Sequence, residues 1–394
     1  MTRAPIRVAF IASHPIQYVA PLYRRLSERD DLAVKVFFTW HAGAEPVEDR
    51  GFRMRIAWDI PLNDGYEFER VPNISLDPGT HRFVGLVNPS LVRRVAAWRP
   101  DVVHVSGWAW LSHLAAMRRL SRRGVAVLFR GDSHLLDDAR AGPRWRMKRA
   151  LLRRVFAWPT GVLAAGAANR DYFEKFGIAP PRIFPCPHSI DVARFAEPAA
   201  VLEAEAARWR RELGIAAGQK VALFAGKFEP KKRPLDLMRA VRFLAKPDVV
   251  VVLVGGGELQ SEIDAFAAAD PARFRVLPFQ NQSRMPVVYR TGDLFVLPSA
   301  YHESWGLAVN EALACGRPVL VSDRVGCAAD LVDQTCGGIF PAGDVAALAG
   351  AIDQLIGKAD EPAMRAAAMR RAWQFDIAAT ESALVAAVGQ VCAR

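Results

Sequence analysis

The sequence alternates short, β-branched apolar runs with longer helix-like segments, and this pattern occurs twice along the chain. Runs that are apolar on both faces, separated by segments of helical length, indicate buried parallel strands covered by helices. The runs predicted as strands are residues 6–13, 32–40, 102–107, 125–131, 161–166, 221–226, 249–257, 274–280, 294–299 and 318–323. We therefore expect an α/β protein with two doubly wound domains that bind ligands at the carboxyl ends of their strands, in the cleft between them.

A chain of 394 residues is too long for one ordinary hydrophobic core. Four prolines within residues 179–188 oppose helix formation and mark an extended connection between the two sets of strands. We predict an N-terminal domain over residues 1–190 and a C-terminal domain over residues 191–375. The remaining residues, 376–394, are predicted to form a terminal helix that could pack back on the first domain.

Cysteine usage and hydropathy favour a cytoplasmic protein. The five cysteines are scattered and form no C-x-x-C pair, so neither a disulfide framework nor a zinc site is indicated. The longest apolar stretches, about nine residues, are less than half of a membrane span. The first residues contain only a short apolar run, so no secretory signal is expected.

The positive charge lies entirely in the first half of the sequence. Residues 1–195 contain 30 Lys and Arg against 18 Asp and Glu, a net charge of +12, whereas residues 196–394 have a net charge of −1. This asymmetry suggests a polyanionic partner, which could be nucleic acid, an anionic membrane surface or a phosphorylated substrate. A bias toward arginine in the genome is the alternative explanation of the asymmetry. Residues 144–158 combine six cations with Trp145 and Trp158 and could lie on a membrane surface, or form an ordinary domain helix with arginines on its exposed face.

The strongest motif is the stretch from Glu303 to Val319, with sequence ESWGLAVNEALACGRPV. A predicted strand ends just before it, and a helix is expected to begin near Gly306. Backbone amides at a helix start are unpaired and form an anion site, and glycine lets a phosphate approach closely. Glu303 and Glu311 can then face one ligand, where carboxylates are suited to accept hydrogen bonds from sugar hydroxyls.

This stretch resembles the donor-site signature of the family-4 retaining glycosyltransferases, which have the GT-B architecture of two facing Rossmann-like domains. The resemblance implies that the domain over residues 1–190 binds the acceptor and that the domain over residues 191–375 binds the nucleotide sugar. The resemblance implies that Lys227 and Lys232 hold the diphosphate of a nucleotide sugar. It also implies that Glu303 orients the transferred sugar and that Glu311 binds the ribose. By the same resemblance, further donor-binding residues are Gly226, Gly255, Gly256, Gly257, Glu258, Phe279, Gln280, Ser304, Trp305, Gly306 and Leu307.

The first domain matches the family less closely. The turn after its first strand contains His14 and Gln17, which are expected on the acceptor side together with Arg130. Asp132 and His134 follow a strong strand, and the family often carries a histidine near this strand end that contacts the transferred sugar. We therefore count both among the candidate catalytic residues, together with the two lysines and Glu303.

The resemblance implies a retaining glycosyltransferase that moves a sugar from a nucleotide-diphosphate donor, with UDP favoured over GDP, to a hydroxyl of a glycan or lipid-linked acceptor. The setting would be bacterial cell-surface polysaccharide or glycolipid assembly in the cytoplasm, on the inner face of the membrane if the basic half contacts lipid. No Asp-x-Asp pair occurs, so we expect no metal, and the nucleotide sugar is a substrate, so we expect no cofactor. The alternatives are a non-catalytic subunit that binds sugar nucleotide, or a basic nucleic-acid-binding protein; no nucleic-acid-binding motif is evident.

Overall fold

The apolar runs of the sequence form the strands of two parallel sheets. The computed structural model describes residues 4–40, 47–49, 51–137, 143–244 and 248–393. The strands are β1 (Ile6–Ala12), β2 (Leu32–Phe38), β3 (Val47–Asp49), β4 (Met54–Ile56), β5 (Glu67–Arg70), β6 (Val102–Ser106), β7 (Ala126–Arg130), β8 (Gly161–Ala164), β9 (Ile183–Pro185), β10 (Lys220–Lys227), β11 (Val249–Gly256), β12 (Phe274–Pro278), β13 (Leu294–Leu297), β14 (Val319–Ser322) and β15 (Gly337–Phe340). Nine of the ten predicted runs contain one of these strands, and the tenth, residues 221–226, lies within β10.

Helices follow most of the strands and cover the sheets. They are α1 (Ala20–Ser27), α2 (Leu91–Ala97), α3 (Leu111–Ser121), α4 (Pro143–Val155), α5 (Ala167–Lys175), α6 (Val192–Ala196), α7 (Ala199–Glu212), α8 (Pro234–Phe243), α9 (Gln260–Ala268), α10 (Met285–Thr291), α11 (Leu307–Ala314), α12 (Ala328–Leu331), α13 (Val345–Leu355), α14 (Pro362–Trp373) and α15 (Ile377–Cys392). Among the helices of the described residues, none combines the length and the apolarity that crossing a bilayer requires.

Both sheets have the doubly wound strand order. The first is ordered β5-β2-β1-β6-β7-β8-β9 and the second β12-β11-β10-β13-β14-β15. Neighbouring strands within each sheet are parallel. In both sheets the order reverses beside the first strand, between β1 and β6 and between β10 and β13. Ligands of open α/β sheets bind at such reversal points, beyond the carboxyl ends of the strands.

The chain divides into two compact units. The first comprises residues 1–47, 60–188 and 377–394, and the second comprises residues 48–59 and 189–376. Residues 48–59, which the sequence-based division assigns to the first domain, group with the second unit instead, because they bond to side chains near the ends of its strands. Helix α15 belongs to the first unit, where Leu384 and Val388 pack in the same core as β1.

The strands that sequence inspection missed are short and lie mostly at sheet edges. β5 has the sequence EFER and is largely exposed, so it lacks the continuous apolar run of a buried strand. β15 begins with two glycines, and β9 lies in the proline-rich connection. Edge strands need fewer apolar residues because part of their surface stays in water.

Candidate active site

The reversal point of the second sheet brings together the loops that follow β10 and β13. Lys227 is the last residue of β10, and the loop after β13 carries Ser299 and Glu303. The backbone N–H of Ala300 donates a hydrogen bond of 2.8 Å to the carbonyl of Lys231, which joins the two loops. Residues that are more than 60 positions apart in sequence thus meet at one edge of the sheet.

Glycines allow the ends of β10 and β11 to approach closely. Gly226 and Gly255 have φ angles of 155° and 154°, which side chains rarely tolerate. A Cβ atom at Gly255 would lie 1.9 Å from the carbonyl oxygen of Gly226. The two strand ends therefore carry no side chains at this point, which is the property that the predicted phosphate site requires. Glu258, also predicted here, is exposed.

Glu303 is fixed by two neighbours. Its Oε2 atom accepts hydrogen bonds from the ammonium of Lys232 and, at 2.9 Å, from the hydroxyl of Ser299. Lys232 ends a short 3-10 turn, and Arg233 after it adopts a left-handed conformation with φ of 50°. The cation and the carboxylate that the sequence assigns to the diphosphate and to the sugar are therefore in direct contact.

Helix α11 begins beside these groups. Gly306 precedes it with φ of 97°, and a Cβ atom there would lie 3.1 Å from Leu297 Cδ2. Leu307 is the first helical residue, so the amides at this helix start remain the candidate anion site. Glu311, on the second turn, is buried, and its Oε2 atom accepts a hydrogen bond of 2.5 Å from the hydroxyl of Tyr289. Tyr289 carried no signal in the sequence beyond its place in an apolar helix.

Not every predicted donor residue presents its side chain to a ligand. Trp305 is buried, and its indole N–H donates to Asn310 Oδ1 at 2.9 Å while its ring packs near Phe375. Gln280 donates its side-chain amide to the carbonyl of Pro278, two residues back. Trp305 therefore supports the loop that carries Glu303, whereas the neighbouring Ser304 is exposed.

Lys227 has an ion-pair partner that sequence inspection missed. Its Nζ atom lies 2.8 Å from Asp49 Oδ1. The ring of Phe279, a predicted donor-binding residue, lies 4.8 Å from that of Phe52. Burial by itself would raise the pKa of Asp49. The hydrogen bond from Lys227 and those from the backbone N–H groups of Phe52 and Gly51 outweigh it, so the pKa of Asp49 lies below its usual value.

In the first unit, Asp132 is the centre of a polar cluster. Its carboxylate lies 3.0 Å from His188 Nε2 and 3.8 Å from the guanidinium of Arg130. Reduced hydration by itself would raise the pKa of Asp132, but the interactions with His188, Arg130 and His104 hold it well below its usual value. Arg130 also donates to the carbonyl of Cys186 at 3.1 Å, so it is held in place.

His134, the other candidate after this strand, has different neighbours. Its side chain is almost fully buried, and its Nδ1 atom accepts a hydrogen bond from the N–H of Leu136. The histidine that meets Asp132 is His188, which the sequence offered only as the end of the proline-rich connection. His14 lies 2.9 Å from the Ser13 hydroxyl, and burial lowers its pKa to about 4; Gln17 lies half-buried in the turn before α1.

The two tryptophans of the predicted membrane-contact stretch, residues 144–158, pack against the protein. Trp145 packs near the ring of Phe176, and Trp158 packs against the core. These aromatic rings are therefore turned inward. Two large apolar side chains of α4, Met147 and Leu151, are 71% and 54% exposed.

Comparison with known proteins identifies the family. The family model described as Glycosyltransferase Family 4 matches residues 17–194, and the model described as Glycosyl transferases group 1 matches residues 205–372. The D-inositol 3-phosphate glycosyltransferase of Salinispora arenicola is 31% identical over 403 aligned residues, which cover 95% of this chain and 87% of that protein. The chain belongs to glycosyltransferase family 4. The D-inositol 3-phosphate glycosyltransferase of Salinispora tropica is 30% identical to this chain, and the match covers 95% of this chain and 80% of that protein.

Solved structures show that this glycosyltransferase has the GT-B fold class, with two Rossmann-like domains. Anabaena HepE in complex with UDP and glucose superposes with a TM-score of 0.70 at 18% identity, covering 98% of this chain and 100% of that chain. A glycosyltransferase from Rickettsia africae has a TM-score of 0.76 at 12% identity, covering 98% of each chain. At these identities the likeness is one of fold.

Within the second unit of the glycosyltransferase, the structure brings Lys232, Glu303 and the start of α11 together around the reversal point. Glu311 is held just behind them by Tyr289. The candidates His14, Gln17, Arg130, Asp132 and His134 belong to the first unit. Sequence inspection missed Asp49, Ser299, Tyr289 and the pairing of His188, because each acts through a tertiary contact.

Proposed function

We propose that this glycosyltransferase transfers a sugar from a nucleoside-diphosphate sugar to a hydroxyl group, with retention at the anomeric carbon. The observation that carries the proposal is the contact between Lys232 and Glu303 beside the start of α11. A cation, a carboxylate and unpaired amides at one reversal point can hold a diphosphate and its attached sugar together.

In this proposal the second unit supplies the leaving-group chemistry. Lys227, Lys232 and the amides at Gly306 and Leu307 stabilise the negative charge that develops on the diphosphate as the glycosidic bond breaks. These groups supply positive charge, so we propose that the reaction needs no metal. Glu303 accepts hydrogen bonds from the sugar hydroxyls and turns the anomeric carbon toward the acceptor.

Glu311 would bind the ribose, while Phe279 and the backbone near Gln280 would contact the base. The acceptor hydroxyl would attack from the face that the diphosphate leaves, and its proton would pass to the departing phosphate. No covalent carboxylate intermediate is formed. Asp132, oriented by His188, is the better candidate than His134 for a contact with the transferred sugar or the acceptor, because its side chain is 44% exposed.

We favour UDP as the nucleotide. HepE, a relative in fold, has been crystallised with UDP and with UDP-glucose. A thermal-shift screen of UDP, GDP, ADP and their sugars tests this choice, because a ligand that binds the folded protein raises its melting temperature. A preference for GDP would refute the choice of UDP and leave the transfer reaction in place.

We propose an anionic acceptor on the side of the basic first half, either a lipid-linked glycan at the bilayer in cell-surface assembly or a smaller phosphorylated polyol. The second candidate is favoured by the full-length relative named a D-inositol 3-phosphate glycosyltransferase. An assay that follows nucleoside diphosphate released with each acceptor class distinguishes them. If the enzyme neither transfers the sugar of any donor nor slowly hydrolyses any donor, the non-catalytic alternative is supported and transfer is refuted.

A further inference from the structure

Residues 48–59, hereafter the 48–59 segment, contact all three loops that would bind the donor diphosphate and base. These loops follow β10, β11 and β12 and centre on Lys227, Gly257 and Phe279. The segment belongs to the second unit, although it is contributed by the first half of the sequence. It contains the end of β3 and all of β4, which form a separate two-stranded sheet.

Asp49 contacts the first loop through an ion pair between its carboxylate and Lys227. Its two oxygens lie 2.8 and 3.0 Å from Lys227 Nζ, the distances of a direct ion pair. The carboxylate is held from behind, since Oδ1 accepts the backbone N–H groups of Gly51 and Phe52 at 2.8 and 3.0 Å. A phosphate oxygen and a carboxylate oxygen bind an ammonium in the same way, so Asp49 and a diphosphate compete for Lys227.

Gly51 and Phe52 cover the glycine turn after β11. A Cβ atom at Gly257 would lie 2.9 Å from the carbonyl oxygen of Gly51, and one at Gly256 would lie 3.8 Å from that of Phe52. The backbone of the segment therefore lies directly over the turn whose lack of side chains suits the approach of a phosphate. These carbonyl oxygens would repel a phosphate at the same place.

The third loop is covered by apolar and polar contacts. The ring of Phe52 lies 4.8 Å from that of Phe279, and Trp58 contacts the same ring at 6.3 Å. Asn281 donates its side-chain amide to the carbonyl of Ala57 at 2.6 Å, and Asp59 accepts from the N–H and hydroxyl of Ser283. The segment is thus anchored at both ends, by Asp49 and by Asp59.

We propose that the 48–59 segment is an autoinhibitory element that occupies the donor site, with Asp49 in the place of a phosphate and Phe52 in the place of the base. The inference rests on the proposed function, because that function assigns Lys227 and Phe279 to the donor. A nucleoside diphosphate can bind only when the segment leaves, and its return after transfer promotes release of the product.

The measurement is the affinity for UDP, by titration calorimetry on the full chain. If the segment is docked nine-tenths of the time, the apparent dissociation constant is about tenfold above that of the open form. The variant Asp49→Asn should therefore bind UDP more tightly, by up to about tenfold. The matched control is Asp248→Asn, which removes an exposed carboxylate at the opposite end of β11 and should not change the affinity.

A double-mutant cycle tests whether Asp49 acts through Lys227. In the Lys227→Ala background, Asp49→Asn should no longer tighten UDP binding, because the ion pair is already absent. If Asp49→Asn weakens UDP binding in the otherwise native chain, the segment assists donor binding. If the affinity is unchanged, the segment has no effect on it. Either result overturns the proposal.

A reversible crosslink provides a second test. The side chains of Asp59 and Ser283 touch, so Asp59→Cys with Ser283→Cys should form a disulfide that keeps the segment docked. Four of the five native cysteines are buried, and Cys392 is partly buried. The oxidised variant should lose UDP binding and regain it on reduction, whereas the single variant Asp59→Cys should respond to neither treatment.

The outcomes separate the two proposals. If the native chain and Asp49→Asn both fail to bind UDP, GDP and ADP, the proposed function fails and the inference falls with it. If the native chain binds UDP and the oxidised crosslinked variant binds it equally well, only the autoinhibition is refuted.

Discussion

The hydroxyl of Tyr289 donates a hydrogen bond of 2.5 Å to Oε2 of Glu311, and both side chains are buried behind the start of α11. The tyrosine ring is itself fixed by Phe295, 5.4 Å away, on β13. If Glu311 binds ribose, Tyr289 is a positioning residue that sets the direction of the carboxylate without touching the ligand.

The variant Tyr289→Phe keeps the ring and removes this hydrogen bond, which for a charged acceptor contributes about 1.5–3 kcal/mol. We expect the affinity for UDP to fall by about tenfold, corresponding to about 1.4 kcal/mol. The affinity for inorganic diphosphate, which has no ribose, should not change. An equal loss for both ligands would indicate a purely structural role.

Glu311→Ala and Glu303→Ala should separate binding from turnover. Glu311→Ala should weaken binding of UDP, because it removes the ribose contact. Glu303→Ala should leave UDP binding nearly intact, since it also frees Lys232 for the diphosphate, but it should lower kcat strongly. Titration calorimetry and steady-state kinetics measure the two effects, and equal losses of UDP affinity in both variants would contradict this division of roles.

Lys232→Ala should cost about 2–4 kcal/mol in transition-state stabilisation, by analogy with the loss of one oxyanion donor. The matched control is Lys231→Ala, because Lys231 pairs with Glu229 at 3.0 Å and is assigned no contact with the donor.

We also expect the transferase activity to survive treatment with EDTA. Loss of activity in EDTA that magnesium or manganese restores would disprove the proposal that lysines and helix amides suffice.

The sequence predicts the central strands and the donor motif because both depend on local patterns. A buried parallel strand such as β11 is apolar on both faces, and the close turn after it needs glycines. Both patterns consist of residues that are neighbours in the sequence, so inspection of the sequence finds them. Asp49 lies 178 positions from Lys227, and its carboxylate has no spacing that marks it. His188 likewise meets Asp132 only through a contact between segments that are distant in sequence, so the motif after β7 indicated His134 and not His188 as a candidate.

Buried histidines of the first unit should make its stability depend on pH. Burial lowers the pKa of His104 to about 3 and that of His113 to about 4. In His113, Nδ1 lies 2.8 Å from the carbonyl of Ser106 and Nε2 lies 2.9 Å from the hydroxyl of Thr39, an arrangement that satisfies the neutral ring.

The unfolded chain takes up a proton at these histidines near pH 6.5, whereas the folded unit does so only near pH 3–4. Their contribution to stability is therefore complete above pH 6.5 and is lost as the pH falls toward 4, at up to about 1.4 kcal/mol per pH unit for each ring. Urea unfolding at pH 7.5 and pH 5 measures this loss. His104→Phe, which keeps a ring beside Phe10, should reduce the loss, and an unchanged pH dependence would contradict the assignment.

The basic first half should bind anionic membranes, with α4 as the contact. Each Lys or Arg near an anionic bilayer contributes about 1 kcal/mol of attraction. Since Trp145 and Trp158 pack inward, the apolar part of the contact would come from Met147 and Leu151, which are exposed among Arg146, Lys148 and Arg153.

We expect salt-reversible co-sedimentation with anionic liposomes and weak binding to neutral ones. Changing Arg146, Lys148, Arg149 and Arg153 to Glu should abolish it, while Met147→Ser with Leu151→Ser should weaken it less. Activity on a soluble acceptor controls for folding. If the native protein ignores anionic liposomes even at low salt, the charge asymmetry reflects base composition, and a phosphorylated polyol becomes the better acceptor.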